Sequence, residues 1–99
     1  MPEDLGFAPP PFDAAAALQR MKRELRDLGL EERGGVFQRR GLAIARVASD
    51  GTVLRAALVR RPVRGSPEWA EREVASHAAA REFTGECKRR LAQWNDRDD

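Results

Sequence analysis

One stretch constrains this chain more than any other. It runs Leu42-Ala43-Ile44-Ala45-Arg46-Val47-Ala48-Ser49, then Asp50-Gly51, then Thr52-Val53-Leu54-Arg55-Ala56-Ala57-Leu58-Val59. Two apolar runs containing β-branched residues flank a single Asp-Gly, the dipeptide that tolerates the positive φ of a two-residue hairpin turn. With Asp50-Gly51 as the turn, Val47 faces Leu54, Ala45 faces Ala56 and Ala43 faces Leu58. That face is wholly apolar and is expected to rest on helices. The opposite face carries Leu42, Ile44, Ala48, Val53, Ala57 and Val59, with Arg46 directly across from Arg55. Two arginines so placed repel unless they fan into solvent or meet an anion.

The hairpin also holds the charge asymmetry. From Val36 to Gly65 there are seven arginines and one acid, a net charge of +6; the remainder has eleven basic and fifteen acidic residues, a net of −4. The whole chain carries only +2. Arginine outnumbers lysine sixteen to two, the usage of a GC-rich, bacterial genome. Arginine is therefore partly the default cation, and the number of arginines alone is weak evidence of a binding site.

Ninety-nine residues with 41% hydrophobic and 34% charged content suit one globular domain. A single cysteine, Cys87, excludes an internal disulfide, and with a single histidine, His77, no Cys/His zinc site is expected. No apolar run exceeds about five residues, and the first residues are acidic where a signal peptide is basic. The chain is expected to be cytoplasmic, with no membrane partner.

The punctuation predicts an α+β fold of order α-β-β(-β)-α, an antiparallel hairpin sheet packed against two helices. Residues 1–12 form a proline-rich arm, 13–94 a single domain, and 95–99 a frayed polar tail. Asp13 is an N-cap with Phe12 as its staple, and Gly29 stands at the C′ position with Leu30 against Leu25. Ala14, Leu18, Met21, Leu25 and Leu28 make one apolar face of a helix over 14–28. Glu31 to Gly35 reads as a loop. Strands are expected over 36–48 and 52–63, with Gly41 a bulge or a break between two strands. Ser66-Pro67-Glu68 has the chemistry of a helix start, so the second helix is placed over 67–94, interrupted or kinked at Thr84-Gly85. The expected core is Leu18, Met21, Leu25, Leu28, Ala45, Val47, Leu54, Leu58, Val74, Phe83 and Cys87.

The order helix, strands, helix is shared with the double-stranded-RNA-binding domain. That family sets a lysine cluster at the start of its last helix, where this chain has Ser66-Pro67-Glu68-Trp69-Ala70-Glu71. Two acids there would repel phosphates, so the similarity is one of element order alone.

No catalytic constellation emerges. His77 has no evident orienting partner, Cys87 lies on an apolar helix face, and Gly34-Gly35 lacks phosphate-loop spacing. The expectation is a non-catalytic binding or adaptor domain with no cofactor. Its candidate contacts are Arg39, Arg40, Arg46, Arg55, Arg60 and Arg61, and its partner is anionic, a nucleic acid or an acidic protein. Phe37 is the single aromatic among the expected strands, which disfavours base stacking. The alternative is a protein-interaction module or homodimer built on Leu42, Ile44, Val53 and Val59.

Overall fold

The first helix is capped as its residues predict. The Asp13 Oδ1 accepts from the Ala16 N–H at 3.1 Å and opens α1, Ala14–Asp27. At the far end Gly29 has φ +92°. Its N–H donates to the Arg26 carbonyl at 2.9 Å, and the Leu30 N–H to the Leu25 carbonyl at 3.3 Å. These two bonds are the Schellman pair. The computed structural model describes residues 11–97. Most of the expected arm over 1–12, and Asp98 and Asp99 of the expected tail, lie outside the described residues.

Five strands follow: β1 Glu31–Arg33, β2 Val36–Arg39, β3 Leu42–Ser49, β4 Leu54–Val59 and β5 Trp69–Val74, then α2 His77–Arg97. They form one antiparallel sheet in chain order, each strand beside the next. The fold is α+β, with both helices on one face of the sheet.

Several local expectations are corrected. Glu31–Arg33 is a strand, not a loop, because Gly34 and Gly35 take φ +58° and +84° and close a two-residue hairpin between Arg33 and Val36. Two successive positive φ values make a type I′ turn, which matches strand twist and which a Gly-Gly pair adopts without strain. Arg40 (φ 55°) and Gly41 (φ 79°) do the same between Arg39 and Leu42, so of the bulge or break expected at Gly41 it is the break that forms, with β2 and β3 on either side.

The register of the central hairpin is displaced by two residues from the expected one. Ala45 pairs with Leu58, Val47 with Ala56 and Ser49 with Leu54. The cause is where the positive φ falls. Gly51, at φ +82°, is the first residue of the loop rather than its second. The Asp50 N–H donates to the Val53 carbonyl at 2.7 Å, and the Thr52 N–H donates to the Asp50 carbonyl at 3.1 Å, a γ-turn about Gly51. A slip of one residue would exchange the faces; a slip of two preserves them. Ala45, Val47, Leu54 and Leu58 therefore still face the helices, buried. Arg46 now lies opposite Ala57 and Arg55 opposite Ala48, so the direct arginine pair is gone.

The second helix begins ten residues later than expected. Ser76 is its N-cap, with its Oγ accepting from the Ala79 N–H at 3.0 Å. Residues Trp69–Val74 pair with β4 along all six of its positions. β4 is buried everywhere except Arg55, so it needs a strand on each side, and that demand overrides the helix-start chemistry of Ser66-Pro67-Glu68. Gly85 does not divide α2, which runs on to Arg97. The core gathers Met21, Leu25, Phe37, Leu54, Val74, Phe83, Cys87, Leu91 and Trp94. Leu18 and Leu28, expected inside it, are half-buried at its margin.

Candidate anion-binding site

Alternation along the strands places Leu42, Ile44 and Arg46 of β3 on the face away from the helices, with Arg55, Ala57 and Val59 of β4. From β5 the same face receives Trp69, Glu71 and Glu73, which pair with Val59, Ala57 and Arg55 in turn. Adding β5 thus changes the electrostatics of the basic sheet. Arg46 Nη2 donates to Glu71 Oε2 at 3.2 Å, and its guanidinium carbon lies 4.6 Å from the centre of the Trp69 ring. Arg55 Nε is 3.5 Å from Asp50 Oδ2 and shares its ladder position with Glu73. Arg46 is accordingly offset by an acid that lies beyond the basic hairpin in sequence, and Arg55 by the acid of the hairpin's own turn.

The other arginines divide by position. Arg39 and Arg40, at the β2–β3 turn, line a hollow of about 260 Å³ together with Arg64 from the β4–β5 connection. Leu42, Ile44 and Pro62 supply its apolar lining. Antiparallel connectivity brings these segments together, because the end of β2 and the end of β4 lie at the same end of the sheet. Arg60 turns to the helix side, lining a separate hollow with Arg72, Glu86 and Arg90. Arg61 is exposed in the connection itself. Of the six expected contacts, two meet in the hollow, and Arg64 joins them. Sequence reading missed Arg64 because only the topology brings the β4–β5 connection beside the β2–β3 turn.

The second apolar face is smaller than its sequence suggests. Ile44 and Val59 are 0% and 1% exposed within the single chain, while Leu42 and Val53 are half-buried. α2 does not cover this face. It packs on the other one, where Arg72 meets Glu86 and lies over Phe83.

Between α1 and α2 lies a larger hollow, about 400 Å³, lined by Glu24 and Asp27 on one helix and Arg81 and Lys88 on the other. Its mixed charges give no preference for an anion. Cys87 is buried, and desolvation, helped by Glu86, pushes its thiol up to about 12, so it is protonated at neutral pH. His77 packs edge-on against Phe12 at 5.1 Å. It lies ten positions before Cys87 on α2, a rise of about 15 Å, too far for a nucleophile and its base. Among the described residues no cluster of three metal-ligating side chains occurs, and no helix is long and apolar enough to cross a membrane.

No family model matches the chain, and no curated protein or solved structure matches it either.

Proposed function

We propose that this protein is a small cytoplasmic, non-catalytic binding domain that holds an anionic macromolecule at the basic end of its sheet. The observation that carries the reading is the convergence of Arg39, Arg40 and Arg64, from two separate connections, on one hollow with an apolar lining. Guanidinium groups present forked donors that match phosphate and carboxylate oxygens, and an apolar surround strengthens each charged contact by lowering the local dielectric. Arg46 and Arg55, each beside an acid, are not among the residues that line this hollow. A net charge of +2 is compatible with such a site, since clustered charge steers a partner where total charge does not.

The test is a fluorescence titration with mixed-sequence DNA, mixed-sequence RNA and polyglutamate at about 50 and about 200 mM salt. Binding of at least one polyanion is expected at the lower salt. It should weaken by an order of magnitude or more at the higher salt and fall further when Arg39 and Arg64 are both changed to alanine. No binding of any polyanion at the lower salt, where counterion release most favours association, overturns the reading.

A further inference from the structure

Trp69 enters the sheet only through β5, and it changes what the basic face can recognise. Its indole is half-buried on the same face as Ile44, the apolar lining of the arginine hollow, with β4 between them. Two strand spacings separate the positions, about 10 Å, a span that roughly three stacked nucleotides cover. Above the indole lies the Arg46 guanidinium, 4.6 Å from the ring centre, held by Glu71 at 3.2 Å. The Arg46 side chain is 43% exposed. The contact joins a cationic plane to an aromatic one, with part of the arginine open to solvent.

We propose that the anionic partner is a single-stranded polynucleotide, with one base stacked on the outer plane of Arg46 and neighbouring phosphates held by Arg39, Arg40 and Arg64. The inference rests on the anion-binding reading above and adds the chemistry that distinguishes nucleic acid from other polyanions. Arginine planes and aromatic rings are the surfaces on which unpaired bases stack, and stacking of this kind tolerates any sequence. Trp69 acts beneath the plane, fixing Arg46 through a cation–π contact, and Glu71 fixes its rotation. A duplex keeps its bases inside and has no face to offer this platform. An acidic peptide has charge but no plane to stack.

The experiment uses the full chain labelled with 5-fluorotryptophan, which places one fluorine reporter at Trp69 and one at Trp94. Addition of a short oligothymidylate or oligouridylate is expected to shift the Trp69 resonance and leave that of Trp94, which is buried in the core. Inorganic polyphosphate should bind without moving either. Arg46→Lys keeps the charge and removes the plane; at this exposed site it should weaken oligonucleotide binding about tenfold and leave polyphosphate binding unchanged. If oligonucleotide and polyphosphate bind alike with Trp69 unmoved, stacking is overturned and the anion-binding reading survives. Tighter binding of double-stranded DNA, or binding of polyglutamate alone, overturns the single-strand assignment in the same way. Failure of every polyanion to bind at about 50 mM salt overturns both readings.

Discussion

Glu32 ties the edge of the sheet to the first helix. Its carboxylate accepts from Arg26 Nη2 at 3.1 Å and lies 3.1 Å from Lys22 Nζ, so one β1 residue meets two cations on α1. The Lys22 hydrogen bond above all, with Arg26 adding to it, outweighs partial desolvation and holds the carboxyl below its ordinary value of 4.5. A folded-state pKa below the unfolded one means that the unfolded chain binds more protons in the interval between them. Stability from Glu32 is therefore present above about pH 4.5 and is lost as pH falls through the lower folded value. Glu32→Gln is expected to cost about 0.5 kcal/mol at pH 7, the scale of a partly exposed ion pair, and to flatten the acid limb of the stability curve. Urea titrations at pH 7 and pH 3 check this, and an equal cost at both values would remove the ion pairs from the account. At this scale the sequence is readable wherever a signal closes within a few residues. Asp13 and Gly29 cap α1 because each cap is complete in its own segment. Ser66 and Ser76 both have cap chemistry, and the serine alone does not tell a strand ahead from a helix ahead.

Gly85 decides how continuous the last helix is. A glycine in a helix interior weakens it through backbone entropy, and Thr84-Gly85 reads as a kink. Yet α2 passes through unbroken, with Thr84 Oγ1 donating to the carbonyls of Ala80 at 3.3 Å and Arg81 at 3.1 Å. A Cβ built on Gly85 meets only the Arg89 Nη1 at 3.6 Å, an ordinary contact with the end of a flexible side chain. Gly85→Ala should therefore stabilise the protein by about 1 kcal/mol, read as a higher denaturation midpoint at unchanged m-value. Destabilisation would show that the groove between the helices needs the space the added methyl fills. The strands were less legible than the helices for a physical reason. A helix states its pairing in one segment, whereas Trp69–Val74 becomes a strand through six partners on β4, ten to twenty residues upstream of them. The two-residue register error has the same origin: Asp-Gly shows that a turn is present, but the ladder bond from Asp50 to Val53 decides where it is centred.

Across the whole molecule, the charge asymmetry was legible and its arrangement was not. Seven arginines between Val36 and Gly65 could be counted, but the offset of Arg46 by Glu71 required β5, and the meeting of Arg39 with Arg64 required the connectivity of five strands. The same acids have a second consequence at the sheet's edge. β5 is six residues long and, among the described residues, pairs on one side only, with β4. An open edge of that length invites a second copy. Antiparallel self-pairing about a two-fold axis through the sheet keeps the faces aligned, so residues of equal alternation oppose each other. Centred on Arg72, such a pair sets Arg72 against itself and Glu71 against Glu73. Centred on Glu71, it sets Glu71 against itself. Both registers place like charges across the seam, which is destabilising. Changing Glu71 and Glu73 together to valine removes that opposition in the register centred on position 71, where Trp69 would then face an apolar side chain and Arg72 would face Ala70. The double variant is expected to gain mass with concentration relative to the wild type in light scattering, at concentrations where both remain folded by circular dichroism. An unchanged mass would mean that the edge is protected by its geometry and that its charges are dispensable for that purpose.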